Sequence, residues 1–280
     1  MPALDPDPRV ATALRGEAIY GDDFTPEEIA QWFADEVHGY STLEHLDSQT
    51  EHYAYHELDA AYAWKYLDRP TPRALGLGSA FGSEFRPLAG RINELTIVEP
   101  ERRYWRDEVA GIPTRYVAPH PSGVLPFEDG RFDLVTAFGV LHHIPNVSHV
   151  LAELVRVTRP GGLIAVREPV VSMGDWRHPR RGLTARERGI PFPLMHELIH
   201  RHGAEVRGEH LLGFGPLLKL AAKAMPSSHW NHPAFVRADA LLSSLFAFNY
   251  RYHRTTLWQR FAPTLGCWVV AKPGRGNPRR

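Results

Sequence analysis

The sequence predicts an α/β protein: a doubly wound, mostly parallel sheet of seven strands, with helices ahead of it and a helical insertion before the last strand. Three observations predict this. From Arg73 to Lys272, short apolar runs of strand length alternate with helical runs. A glycine-rich turn, Gly78-Ser79-Ala80-Phe81-Gly82, follows the first apolar run. The second run, Leu95 to Val98, comes about twenty residues after that first run and ends in Glu99. Strands separated by helices pair in parallel through right-handed crossovers, and such sheets bind ligands outside the carboxyl ends of their strands.

Thr25-Pro26-Glu27-Glu28 is a capping box with proline at the first helical position. Ile29, Trp32, Phe33 and Val37 share one face, so a helix is expected over roughly 25–38. His52 to Leu67 carries Tyr53, Tyr55, Tyr62, Trp64 and Tyr66 on several faces and predicts a second helix, its rings packed over the sheet edge or closing over a ligand pocket. Asp68-Arg69-Pro70-Thr71-Pro72 ends it. These boundaries divide the chain into an N-terminal helical segment, 1–69, and a sheet domain, 70–280. In that domain strands are expected at 73–77, 95–99, 112–118, 134–138, 163–167, 205–212 and 266–272. Helices are expected at 82–90, 100–110, 150–157 and 191–202, and Arg159-Pro160-Gly161-Gly162 as a turn. A long Arg-rich loop spans 169–190. The insertion 213–258 holds two helical runs, 217–225 and 238–248. The second, with Leu241, Leu242, Leu245, Phe246 and Phe248, is the expected interface for a homodimer. The ends, 1–16 and 273–280, are rich in Arg, Pro and Gly and are expected to be mobile.

Lys plus Arg equals Asp plus Glu at 32 each, a balance that argues against nucleic acid as partner. The single cysteine, Cys267, excludes an intramolecular disulfide and a cysteine-based zinc site. His229, His232 and His253 lack metal-ligand spacing, and no metal is expected. No apolar run approaches 18 residues, so no membrane span is expected. The first residues lack the basic and apolar regions of a signal peptide, which makes a cytoplasmic protein the expectation. Strand, glycine turn, helix, strand and acid together suit a nucleoside ligand: the turn's backbone approaches it, and Glu99 accepts from the ribose hydroxyls.

The run from Leu125 to Glu168 reads L-P-F-E-D-G-R-F-D-L-V-T-A-F-G-V-L-H-H-I-P-N and then L-A-E-L-V-R-V-T-R-P-G-G-L-I-A-V-R-E. It resembles the middle of a class I S-adenosylmethionine-dependent methyltransferase, of the branch that includes quinone and sugar methyltransferases. The resemblance is strong over 70–168, weaker over 191–272, and absent from 1–69 and 213–258. It implies a Rossmann-like methyltransferase fold and S-adenosylmethionine as cofactor. The cofactor would be held by Gly76, Gly78, Ser79, Ala80, Gly82, Glu99, Pro100, Phe138 and Gly139. The glycine turn departs from the family's acid-x-G-x-G-x-G: Gly76 stands at the acid, and Ala80 at the central glycine. The loop 119–123 also lacks the family's frequent acid, and Glu84 is a candidate replacement for one of the two.

Methyl transfer aligns an acceptor with a sulfonium methyl and, for a hydroxyl, removes its proton. An imidazole, with a usual pKa of about 6.5, suits that task. His142 and His143 lie just past the fourth expected strand, and Glu168 just past the fifth, placed to orient an imidazole. His142 and Glu168 resemble the histidine and acid of sugar O-methyltransferases. In loop 169–190, Trp176, Arg177, Arg181 and Arg186 are candidates to clamp an acceptor carrying phosphate, carboxylate or sugar. The expected reaction is methyl transfer to a hydroxyl of a small polar acceptor, such as a sugar or glycoconjugate precursor. The alternatives are C-methylation of a quinone or polyketide-like acceptor, and a protein of this fold that binds a nucleoside or partner without transferring methyl.

Overall fold

The computed structural model describes residues 8–42, 53–176, 180, 183–184, 186–224 and 229–274. Arg177 and Arg181 of the expected acceptor clamp lie outside the described residues, as does the whole run 43–52.

The chain opens with α1 (Pro8–Leu14), where mobility was expected; Val10 and Ala13 are buried and hold it down. α2 (Pro26–Thr42) starts on the predicted capping box. Thr25 Oγ1 accepts from the Glu28 N–H at 3.3 Å, and Glu28 Oε2 accepts from the Thr25 N–H at 2.9 Å. The helix expected over 52–67 is shorter: α3 (His56–Tyr62) followed by a 3₁₀ turn, Trp64–Tyr66.

Eight strands form one sheet: β1 (Arg73–Leu77), β2 (Glu94–Val98), β3 (Glu108–Val109), β4 (Ile112–Val117), β5 (Phe132–Phe138), β6 (Thr158–Pro169), β7 (Glu205–Leu212) and β8 (Leu265–Ala271). Their order is β3-β4-β2-β1-β5-β6-β8-β7. Pairs among β4, β2, β1, β5 and β6 are parallel, whereas β8 runs antiparallel to both neighbours. β3 is the strand the sequence did not predict. Ala110 and Gly111, at φ 53° and 81°, form a tight turn that folds 108–113 into a hairpin and forbids the helix expected over 100–110. Only a 3₁₀ turn, Arg102–Tyr104, remains of it. The helix expected over 82–90 is 3₁₀ (Ser83–Arg91), with Pro87 inside it lacking a donor. Arg159–Gly162, expected as a turn, lies within β6, where the pairing with β5 shifts register.

α4 (Val147–Val157) and α5 (Phe192–Arg201) bury Val150, Leu151, Leu154, Met195 and Leu198 against one sheet face. The other face packs on Trp64, Phe85 and Leu88. The insertion contributes α6 (Gly215–Ala224) and α7 (Pro233–Leu245). The chain reverses its direction across the sheet between β1 and β5, so the ligand crevice lies at their carboxyl ends. No helix among the described residues is long and apolar enough to cross a membrane.

Thr25→Ala removes one half of the capping box. It should lower unfolding free energy by about 1 kcal/mol in chemical denaturation, without changing the slope of the transition.

Candidate active site

Four loops meet at this edge: the glycine turn after β1, Glu99 after β2, residues 139–145 after β5, and Glu168 near the end of β6. A cleft at this edge is walled by Leu77, Gly78, Val98, Glu99, Gly139, Val140 and His143. Phe33, Glu36 and Val37 of α2 cover it.

The turn is tightly determined. Gly78, at φ 62°, faces Val140 so closely that a Cβ there would lie 2.4 Å from Val140 Cγ2. Ala80 is also left-handed, at φ 44°. It is held by two bonds: its N–H donates to Glu99 Oε2 at 3.0 Å, and its carbonyl accepts from Tyr116 Oη at 2.8 Å. Glu99 is buried, and its Oε1 accepts from the Glu101 N–H at 3.1 Å. Burial pushes its carboxyl up to about 7. The departure at Gly76 has a steric reason: a Cβ there would lie 2.2 Å from Ser79 Oγ and 2.9 Å from Phe85 Cε2. With Ser79 and Phe85 in place, position 76 admits no side chain. The nearby acid is Glu84, buried against the Ser79 hydroxyl and raised to about 7, chiefly by burial.

Of the residues expected around a cofactor, Gly78, Glu99, Pro100 and Gly139 line the cleft. Ala80 braces Glu99, while Gly82 turns back on Ile97. Phe138 points elsewhere, with its ring 5.7 Å from Trp64 and 4.6 Å from the Arg167 guanidinium. Sequence reasoning missed Val140, Ile144, Pro119 and the contribution of α2. A signal existed for the last: Glu36 lies beside the apolar stripe that carries Trp32, Phe33 and Val37.

The turn 140–145 carries both histidines. His142 Nδ1 lies 2.7 Å from Glu168 Oε2. Glu168 is fully buried, and its Oε1 accepts from the N–H groups of Val140 and Leu141, each at 2.8 Å. His143 Nδ1 lies 2.7 Å from Glu36 Oε2, and the two imidazole centroids are 4.1 Å apart. Arg188, also fully buried, donates to the carbonyls of Leu141, His142, Ile144 and Pro145 in this turn, and to that of Tyr20. Trp32 Nε1 donates to the His143 carbonyl at 2.7 Å. Arg167, next to Glu168 on β6, points to the other sheet face and pairs with Asp59 and Tyr53.

The loop after β6 was expected to clamp the acceptor. Its described cations bind protein instead. Arg186 pairs with Asp35 at 2.7 Å and lies over Trp32. Arg180 donates to the carbonyls of Met173, Thr184 and Glu187. Trp176 donates to the Ser172 carbonyl and stacks on Tyr20 at 5.5 Å. His142, His143 and Glu187 each bring one potential ligand atom within 4.8 Å of one another. That outer distance is wider than the roughly 3.4 Å between ligands of a tetrahedral zinc ion.

A family model described as a methyltransferase domain matches residues 75–166. An uncharacterized methyltransferase of Mycobacterium sp. (strain JLS) is 34% identical over 214 residues, 74% of this chain and 78% of that one. The chain belongs to the class I S-adenosylmethionine-dependent methyltransferases. The 2-methyl-6-phytyl-1,4-hydroquinone methyltransferase of Synechocystis sp. is 23% identical to this methyltransferase over 217 residues, covering 74% of this chain and 55% of that one. In fold it is similar to the 1,6-didemethyltoxoflavin-N1-methyltransferase of Burkholderia thailandensis, solved with S-adenosylhomocysteine. The TM-score is 0.51 at 16% identity, with 89% of this chain and 91% of that one covered.

S-adenosylmethionine is the cofactor, and the cleft fits it. Two left-handed positions, Gly78 and Gly139, bring backbone to its wall, and at Gly139 an added Cβ would meet nothing nearer than His142 Cε1 at 3.9 Å. Each Glu99 oxygen already takes one backbone N–H and keeps a lone pair for a ribose hydroxyl.

Gly78→Ala meets both the left-handed backbone and Val140. It should cost about 2–4 kcal/mol in chemical denaturation, and adding Val140→Ala should restore only the packing share. The raised Glu84 and Glu99 carboxyls bind protons in the folded state that the unfolded chain has released above about 4.3. Their contribution to the stability of the ligand-free methyltransferase is therefore full below about 4.3 and is lost as pH rises through about 7. Ribose hydroxyls favour ionised Glu99, so S-adenosylhomocysteine affinity should rise with pH and level off above about 7. Thermal melts and calorimetry from pH 5.5 to 8.5 test both, and Glu99→Gln should flatten the affinity profile.

Proposed function

We propose that this methyltransferase methylates a hydroxyl of a small organic acceptor, with His142 as general base and Glu168 as its positioning carboxylate. The observation that carries the reading is the 2.7 Å contact between His142 Nδ1 and a carboxylate wholly shielded from water. A carboxylate accepts, so Nδ1 carries the proton and Nε2 keeps its lone pair. Among the described residues no group takes Nε2.

When bound, S-adenosylmethionine supplies an electrophilic methyl on a positively charged sulfur. His142 Nε2 takes the hydroxyl proton as the acceptor oxygen forms its bond to that methyl, and the pair from the breaking carbon–sulfur bond stays on sulfur. The imidazolium then faces Glu168, whose charge steadies it. α2 and Trp32 cover the edge and limit water there. The sugar or phosphate clamp expected from the loop arginines has no support in Arg180, Arg186 or Arg188, which the protein itself engages.

A second reading, C-methylation of a hydroquinone ring, is favoured by the likeness to the phytyl-hydroquinone methyltransferase and by the apolar cover of Phe33 and Val37. The same dyad would deprotonate the phenol that activates the ring. Tritiated S-adenosylmethionine with a panel of alcohols, phenols and hydroquinones identifies an acceptor, and product NMR separates O–CH₃ from C–CH₃.

With that acceptor, His142→Ala should lower kcat by at least about 10²-fold while S-adenosylhomocysteine binding stays within about threefold. Glu168→Gln should cut kcat less and alter its pH profile. Full activity in His142→Ala, or its loss only in His143→Ala, would remove His142 from the role.

A further inference from the structure

The insertion and the loop after it differ from the rest of the chain in charge. Residues 213–264 hold six basic side chains, Lys219, Lys223, Arg237, Arg251, Arg254 and Arg260, against the single carboxylate of Asp239, in a chain whose formal charge is zero. Asp239 is fully buried and accepts from the N–H groups of Gly213 and Phe214 at 2.8 and 2.7 Å. It adds no negative charge to the surface. Among the described residues none of the six cations pairs with a carboxylate.

The same segment exposes apolar side chains. Apart from Val37 and Val124, every exposed large hydrophobic among the described residues lies in it. Leu241, Leu245 and Phe248 sit at i, i+4 and i+7, so α7 and its continuation turn an apolar stripe outward. Leu257, Trp258 and Phe261 join that stripe through rings in contact. Phe248 lies 6.2 Å from Phe246, Phe246 4.9 Å from Phe214, Phe214 6.4 Å from Phe261, and Phe261 5.7 Å from Trp258. Asn249 Nδ2 fixes the two parts together by donating to the carbonyls of Trp258 and Phe261 at 2.8 and 3.0 Å. Lys219, Arg254 and Arg260 border one cleft, whose opposite wall is Val171–Gly174, the start of the loop that leaves Glu168.

We propose that this face docks reversibly on the surface of an anionic lipid bilayer, with Leu257, Trp258 and Phe248 entering the headgroup boundary and the five exposed cations, Lys219, Lys223, Arg237, Arg251 and Arg260, meeting lipid phosphates. Exposed Trp, Phe and Leu among unpaired Lys and Arg match the chemistry of that interface. A second copy of the chain fits worse, because a two-fold contact would bring the same unpaired cations together. The cleft beside Val171 places the docked surface next to the active-site loop. The proposal does not depend on which acceptor is methylated.

The test is flotation of the full-length protein with vesicles of pure phosphatidylcholine and with vesicles holding about one third phosphatidylglycerol, alongside Trp fluorescence. Binding is expected to the anionic vesicles only, weakening with salt and shifting Trp emission to the blue. Leu257→Ser with Trp258→Ser should reduce it at least about tenfold, and Arg251→Glu or Arg260→Glu by about fivefold each. S-adenosylhomocysteine binding should be unchanged in all of them, which separates lost docking from lost fold. Equal binding to neutral vesicles, no binding to either, or a concentration-dependent dimer abolished by Leu241→Ser with Leu245→Ser would overturn the proposal.

Discussion

The turn from Val140 to Pro145 is held between two buried charges, and the active site depends on that grip. Glu168 takes the N–H groups of Val140 and Leu141 from one side. Arg188 takes the carbonyls of Leu141, His142, Ile144 and Pro145 from the other. A turn of this kind has no regular ladder to satisfy its backbone, so each buried group needs a partner from elsewhere. Losing one partner would leave an unsatisfied group at about 1–3 kcal/mol, and the same backbone bonds are what let both charges stay buried without forming an ion pair with each other. The bonds that satisfy the turn also aim His142: the carboxylate that accepts from its imidazole shapes the backbone carrying it.

This arrangement ties the N-terminal helices to the sheet. Arg188 reaches the Tyr20 carbonyl, Trp32 reaches the His143 carbonyl, and Glu36 reaches the His143 ring. Asp35 meanwhile draws Arg186, two residues from Arg188, onto the same helix. The segment before β1 therefore forms one wall of the cofactor cleft, and its order is coupled to that of the loop after β6.

Much of this was readable in the letters. The capping box at Thr25, the strands β1 and β7, and the reversal that places Glu99, His142 and Glu168 on one edge all follow from local chemistry or from period. What the letters hid has specific causes. Arg186 and Arg188 look alike in sequence; one pairs with a carboxylate at the surface of α2 and the other is sealed among carbonyls as far away as Tyr20, a difference set only by tertiary contact. Gly76 looked like a lost acid, but its meaning lies in Ser79 and Phe85, which fill the space. The hairpin at Ala110-Gly111 was hidden because alanine rarely adopts a left-handed backbone. The helix at Pro8 was hidden by its polar neighbours, since only the burial of Val10 and Ala13 secures it.

The two adjacent histidines differ in what holds them, and this bears on their roles. His142 is bonded to a carboxylate on β6, and that strand is paired on both sides by β5 and β8. Its position is set by a strand in the interior of the sheet. His143 is bonded to Glu36 on α2, the helix that covers the cleft, and Glu36 is held in turn by Thr184 of the loop after β6. A general base gains from fixed geometry, because proton transfer rates fall steeply with misalignment. A side chain bonded to the covering helix instead ties that helix to the turn after β5. The sheet-bound pair thus fits the base proposed for it, and the helix-bound pair joins the cover of the cleft to the same turn.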